Sequence, residues 1–294
     1  MKQFLSHCFW YLTWKIPSTS NVLDPRVFCL CFRIHSKKSK SHQNLNIRFD
    51  RKSKLYCISE ARSGLFPLKV FFHSHLRSRA WNYIDGISTR AKILANIYGL
   101  ENIDSFEIDG LIDCGANCGD LLQYLVMTGN KVPYYGYEPG VYEYHSLLET
   151  IRYYKAVIPF QPFQLFNVAL GSSNKSSTLY YEPTTADSSL IRPSIGSVLT
   201  PVKEVTIDHL FSQELSGSKD ILLKLEAEGC EPEVIEGAAK SLSYIKYIAV
   251  DMGPERGIKK ECTVVNIVNL LYANSYIMDL FCYPPRITAL FKRS

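Results

Sequence analysis

The segment Gly110-Leu-Ile-Asp113-Cys-Gly-Ala-Asn-Cys-Gly119 constrains the fold of this chain more than any other. It starts apolar enough for a buried strand, passes through two glycines, and is followed by Leu121, Leu122, Leu125 and Val126 at helical spacing. A strand that turns tightly through glycines into a helix is an opening unit of an open parallel sheet. Ligands of such sheets sit beyond the carboxyl ends of the strands, near that turn. Gly115 and Gly119 let the backbone bend and approach a ligand where a Cβ would collide.

Downstream, strands and helices alternate, the pattern of a mostly parallel sheet. Residues 132–137 read as a second strand ending at Glu138-Pro139, and 163–170 as a third closed by Gly171. Shorter strands at 177–182 and 203–206 flank a Ser/Thr-rich loop containing Asp187-Ser-Ser189. Residues 221–225 are a strongly apolar fourth strand that runs into Glu226-Ala-Glu228-Gly229, and Pro232 opens a glutamate-rich helix. Residues 247–250 form a fifth strand ending at Asp251, before a helix at 263–273. Two apolar runs, 276–282 and 287–291, are separated by Pro284-Pro285, which favours an antiparallel hairpin over another crossover. The expected fold is α/β, with a Rossmann-like, mostly parallel sheet and a C-terminal antiparallel hairpin over 111–294.

Upstream the character changes. The first 100 residues carry 17 Lys and Arg against 4 Asp and Glu, whereas the remainder is net acidic. Such a split suits a basic region that approaches an anionic surface, beside the plainer reading of a solvated basic face. Residues 1–60 read as a basic extension with a polar linker at 36–41, and 61–110 as a helical lead-in. No run of about 18 apolar residues is present, and the aromatic residues 1–20 are interrupted by His7, Lys15 and Pro17, so neither a spanning helix nor a signal peptide is expected. Nine cysteines without a paired CxxC set point to a reducing, cytoplasmic compartment rather than a disulfide framework or structural zinc.

Glu138 narrows the ligand to a nucleoside. It ends the second strand about 20 residues beyond the loop, where an acid accepts hydrogen bonds from both ribose hydroxyls. A dinucleotide loop wants a further close glycine, and Asn117 stands there instead. The one Tyr-x-x-x-Lys pair of reductase type, Tyr11 and Lys15, precedes the loop. S-adenosylmethionine, cationic and free of phosphate, suits the acidic strand end at Asp113 better than a pyrophosphate does. An NAD(P)-linked oxidoreductase and a catalytically silent binding protein of the same fold are the rival readings.

At these residues the chain resembles the FkbM family of methyltransferases. The resemblance rests on Asp113-Cys-Gly-Ala-Asn117-Cys-Gly119-Asp120, Tyr137-Glu138-Pro139 and Asn167-Val-Ala169-Leu. Its most specific stretch is Lys224-Leu-Glu226-Ala-Glu228-Gly229-Cys-Glu231 with Glu236-Gly237-Ala238 after it. Members usually carry Lys-x-Asp-x-Glu-Gly there, so Glu226 replaces the commoner Asp. Tyr83-Ile-Asp-Gly-Ile-Ser-Thr-Arg90 and Tyr98-Gly-Leu100 look like a lead-in of members encoded beside polysaccharide genes, and the likeness covers about 75–260. It implies a class I methyltransferase sheet and methyl transfer from S-adenosylmethionine to a hydroxyl, often on a sugar. It also implies a cofactor site at Asp113, Gly115, Asn117, Gly119, Glu138 and Asn167.

Methylating a hydroxyl requires an aligned acceptor and removal of a proton. Glu226 and Glu228 end the fourth strand. If the strand continued through them they would share a side, and one carboxyl of the pair would be pushed up. They are the candidate catalytic residues, as a base or as ligands of a divalent cation, set against a plain helix-capping role for Glu228 and Glu231. Lys224, inside an apolar strand, is expected to pair with Glu226 or Asp113. Asp251 to Arg256 is a candidate lining of the acceptor pocket. The expected partner is a small-molecule or glycan acceptor, with no nucleic acid and no dedicated metal site.

Overall fold

The computed structural model describes residues 24–37, 44–104, 107–182, 188–191, 197–215, 217–284 and 286–294. The aromatic N-terminus, the Tyr11/Lys15 pair, most of the linker at 36–41 and Asp187 lie outside the described residues. Among the described residues no helix is long and apolar enough to cross a membrane, and the described cysteines are free thiols.

Asp24 caps α1 (Pro25–Ser36) by accepting from Arg26 N at 2.7 Å. Phe28 and Phe32 of this helix are buried against Trp81. Strands β1 (Leu45–Asp50), β2 (Leu55–Arg62) and β3 (Leu65–His73) then form a three-stranded antiparallel sheet. A 3₁₀ segment, Ser74–Tyr83, and α2 (Ile87–Ile97) follow. The division expected at residue 60 falls inside β2, and 65–73 is a strand, not part of a helical lead-in. Leu68, Val70 and Phe72 alternate inward along β3, a period of two that favours strand over helix, and residues 55–58 of β2 are all buried.

The main domain supplies β4 (Gly110–Cys114), α3 (Asp120–Thr128), β5 (Tyr134–Tyr137), α4 (Val141–Val157), β6 (Phe163–Phe166), β7 (Ala169–Leu170), β8 (Lys175–Tyr181) and β9 (Val198–Val205). After these come α5 (Ile207–Gln213), β10 (Ile221–Leu225), α6 (Glu231–Glu236), β11 (Ile245–Asp251), β12 (Pro254–Arg256), β13 (Glu261–Cys262), α7 (Val264–Ala273), β14 (Tyr276–Cys282) and β15 (Thr288–Arg293). Seven strands make the central sheet in the order β14-β15-β11-β10-β4-β5-β6. β4, β5, β6, β10 and β11 run parallel, and β15 is antiparallel to both β11 and β14. This is the expected mostly parallel sheet with its closing hairpin, in the class I methyltransferase arrangement. The strand order reverses between β4 and β10, and that is where such a sheet opens its ligand crevice.

Two details differ from expectation. The third strand is split: β6 belongs to the central sheet, whereas β7 pairs with β9 in a separate three-stranded sheet. The N-terminal part also has no core of its own. One apolar cluster runs from Phe28 through Ile58 and Leu122 to Leu290, joining the antiparallel sheet to one face of the central sheet. The exposed edge of β3 is closed by α4, where Ser146, Thr150 and Tyr154 hydroxyls accept from the backbone N–H groups of His73 (2.8 Å), Phe71 (3.1 Å) and Lys69 (3.0 Å). Covering an edge in this way removes a row of unpaired donors.

Candidate active site

The parallel register sets Lys224 of β10 directly beside Asp113 of β4. The two side chains meet at 3.1 Å, and Asp113 also accepts from the Tyr134 hydroxyl at 2.7 Å. The Lys224 ammonium lies 3.1 Å from Glu226 and donates to the carbonyls of Cys114 (3.0 Å) and Gly115 (2.9 Å). A buried lysine is costly unless paired. Burial acts against its charge, but Asp113 and Glu226 outweigh it and hold Lys224 protonated. The lysine thus fastens the glycine loop to the fourth parallel strand. Asp113 is fully buried and engaged in this cluster, and burial raises its carboxyl against the opposing pull of Lys224 and Tyr134.

Gly115 adopts φ +71°, and a Cβ on it would stand 2.0 Å from the carbonyl oxygen of Glu226. That backbone contact cannot give way, so the glycine is demanded by packing as well as by the turn. Gly119, at φ +92°, opens α3 close against Leu147. Asn117 is left-handed (φ 51°) where a dinucleotide loop would carry glycine. Its side-chain oxygen accepts from Cys118 N at 2.8 Å and from the buried Arg79. We expect Gly115→Val to lose ligand binding and at least about 2–3 kcal/mol of stability. The urea midpoint of the ligand-free protein checks the second effect.

Glu138 is 7 % exposed at the end of β5. It accepts from Asn117 N and Gly140 N, each at 2.7 Å, which ties the second strand's end to the glycine loop. Burial and then the nearby Glu143 push its carboxyl above the ordinary range. Glu143 pairs with Arg79 at 2.9 Å and accepts from the Tyr181 hydroxyl at 2.8 Å. Asn167 does not reach the cleft lining; its amide donates to the carbonyls of Glu138 (2.8 Å) and Pro139 (3.2 Å), at the turn between β6 and β7.

These groups surround a cleft lined by Gly115, Asn117, Glu138, Leu170, Glu226 and Glu228. A second cavity shares Gly115, Asn117 and Glu226 and adds Arg90, Tyr98, Lys224 and Arg286. Asp113 lies on this second side.

The paired-carboxylate expectation changes here. β10 ends at Leu225 and Glu228 is left-handed (φ 51°), so the strand does not carry both glutamates on one side. Glu226 is bound by Lys224, Arg286 and the Tyr98 hydroxyl, the last at 2.9 Å. Burial alone would raise its carboxyl, but Lys224 and Arg286 outweigh it and hold it well below the usual range, which makes Glu226 a poor base. The place of a divalent cation beside it is taken by Arg286, which also contacts Asp251 at 2.6 Å. Among the described residues, no group of three His, Cys, Asp or Glu side chains is placed to hold a metal ion. Glu231 clamps the turn after β10 by accepting from Ala227 N (2.9 Å) and Gly229 N (3.1 Å). His209 starts α5, away from both cavities.

Sequence reasoning overlooked Arg286 and Arg79. Arg286 sits just past the paired prolines of the hairpin, and Arg79 in a 3₁₀ segment without helical periodicity, so neither carried a local signal. Glu143 was equally silent, one of two acids within its helix.

The sequence matches the Methyltransferase FkbM domain over residues 113–262, half of the chain. The chain belongs to the FkbM methyltransferase family. The match begins at the aspartate of the glycine loop and ends after β11, so it contains Glu138, Lys224, Glu226 and Glu228 but not Arg286. Among solved structures, the FkbM methyltransferase of Methylobacillus flagellatus KT is similar, with 14% identity and a TM-score of 0.48 over 74% of this chain and 54% of that one. The chain therefore spans about half the length of that relative. An O-methyltransferase family protein from Burkholderia thailandensis shows 12% identity and a TM-score of 0.43 over 74% and 60% of the two chains. Magnesium protoporphyrin IX methyltransferase from Synechocystis PCC 6803, with bound SAM, shows 11% identity and a TM-score of 0.41 over 71% and 79%. No curated protein matches the chain.

Proposed function

We propose that this FkbM methyltransferase transfers a methyl group from S-adenosylmethionine to a hydroxyl of a small acceptor, a sugar or glycoconjugate. The observation that carries the reading is Glu138. A buried carboxylate ends the second parallel strand, is braced by two loop N–H groups and opens into the cleft beside Gly115. A carboxylate so placed retains lone pairs for two vicinal ribose hydroxyls. The residues fit the cofactor in chemistry as well. The tight turn at Gly115 leaves the loop backbone bare of side chain, and the lining is acidic, which suits a sulfonium cation and repels a pyrophosphate.

When bound, the cofactor supplies an electrophilic methyl group. Glu138 and the Gly115–Gly119 loop would hold it, and Lys224 and Arg286 keep Glu226 ionised and fixed at the cleft wall. Glu228, which lines the same cleft, is the proposed base for the acceptor hydroxyl. The basic N-terminal third is proposed to face an anionic surface, and the cytoplasm is the proposed compartment.

Glu138→Ala is expected to cost about 1–3 kcal/mol of S-adenosylmethionine affinity through lost charge-assisted hydrogen bonds. Titration calorimetry with S-adenosylmethionine, its demethylated product and NAD checks this, and a preference of the wild type for NAD would overturn the reading. The pH dependence has a definite sign. A raised carboxyl holds its proton above the ordinary range, and ribose hydroxyls bind the ionised form. Affinity should therefore increase with pH until Glu138 is fully ionised, and Glu138→Gln should flatten that rise.

A further inference from the structure

On α1, Val27, Leu30 and Ile34 are 41%, 56% and 47% exposed, while Phe28, Cys29 and Phe32 face the core. At about 100° per residue, Arg26 and Lys37 fall within about 20° of each other, and Leu30, Ile34 and Val27 form the adjoining stripe. The outward side of this helix is thus half cationic and half aliphatic. Residues 24–54 contain nine Lys and Arg and two acids, the cap Asp24 and Asp50, and the helix itself contains none. The hairpin between β1 and β2 adds Arg51, Lys52 and Lys54, all exposed.

We propose that the outer face of α1 docks this protein onto an anionic phospholipid bilayer. Charge chooses the partner: a second copy seated through the same helix would set like charges against each other, whereas lipid phosphates and carboxylates complement them. The aliphatic stripe separates a bilayer from a nucleic acid. Leu30, Ile34 and Val27 gain nothing from a phosphate backbone, but burying such side chains at the headgroup boundary is how an interfacial helix holds on. The helix is anchored from behind, since Arg33 donates to Ile47 O at 2.6 Å and Phe28 stacks edge-on to Tyr56 at 5.1 Å. It therefore meets the membrane already folded, with no ordering cost at that moment.

This inference rests on the reading of the N-terminal third as anion-facing and is independent of the methyl-transfer reading. The test is vesicle flotation of the full chain with phosphatidylcholine vesicles, with and without about a third phosphatidylserine. Wild type should float with the phosphatidylserine vesicles at low salt and be partly released by salt. The double variant Leu30→Glu/Ile34→Glu should bind these vesicles at least about tenfold more weakly. Arg26→Glu/Lys37→Glu should weaken binding similarly, and both variants should keep wild-type cofactor affinity, which shows them folded. No preference of the wild type for phosphatidylserine removes both the anionic-surface reading and the docking. Binding that survives Leu30→Glu/Ile34→Glu but not the charge variant overturns the bilayer in favour of an acidic polymer. Binding that survives both places the contact elsewhere on the chain.

Discussion

Lys224→Met should lower the unfolding free energy by about 3–5 kcal/mol, the usual result of removing one member of a buried ion pair. Asp113 would remain fully buried with only the Tyr134 hydroxyl as partner, and the carbonyls of Cys114 and Gly115 would lose their donor. The sign of the pH dependence follows from Asp113. Burial already raises its carboxyl above 3.8, and loss of the lysine removes the main opposing influence. A carboxyl raised in the folded state binds its proton there more tightly than in the unfolded chain. Stability of the variant should therefore fall as pH rises from the ordinary aspartate range toward the folded value, so the deficit is greater at neutral than at acid pH. Urea unfolding at several pH values reads this directly. Adding Asp113→Asn should recover part of the loss, and a double-mutant cycle gives the coupling. A deficit that does not vary with pH would remove Asp113 from the account.

Glu228→Gln should leave S-adenosylmethionine affinity near wild type and lower turnover by about 10²–10⁴-fold, the contribution of a positioned base. A hydroxyl is too weak an acid to ionise unaided at neutral pH, so loss of the base should appear in kcat. Glu226→Gln forms the contrast. That substitution removes the counter-charge of Lys224 and Arg286, so its main effect should be on stability and cofactor binding. Turnover retained in Glu228→Gln would make that residue structural. A joint collapse of affinity and melting temperature would instead favour its capping role at α6.

The glycine loop, the five parallel strands and the closing hairpin were legible because each is announced locally, by an apolar run with glycine or proline at its boundary. Glu138 was legible for the same reason, as an acid at a strand end at the right distance from the loop. What was not legible depends on partners distant in sequence. Glu226 looked like half of a carboxylate pair because Glu228 is its neighbour in the chain, yet its chemistry is set by Lys224 together with Arg286, the latter 60 residues away. Strands β1 to β3 were obscured by Arg, Lys and aromatic side chains on their outer positions, which blur a period of two. The split after Phe166 was hidden because apolar residues continue on both sides of Asn167, and only its hydrogen bonds to the Glu138–Pro139 backbone reveal the turn.

The hydroxyl ladder between α4 and β3 works because two rulers nearly agree. Ser146, Thr150 and Tyr154 advance four residues of helix at a time, about 6.0 Å, while Lys69, Phe71 and His73 advance two residues of strand, about 6.6–6.8 Å. The mismatch is under an ångström per step; serine and threonine, whose hydroxyls have the same reach, serve the first two rungs, and the longer tyrosine serves the third. Over the two steps between three rungs the offset accumulates to about 1.2–1.6 Å. A helix can therefore seal only a short length of sheet edge in this manner, and β3 extends just four residues beyond its last sealed rung. The same vernier fixes the height of α4 along the sheet, and with it the position of Glu143 beside Glu138, so the placement of a buried charge pair is set by the fit of two unlike repeats.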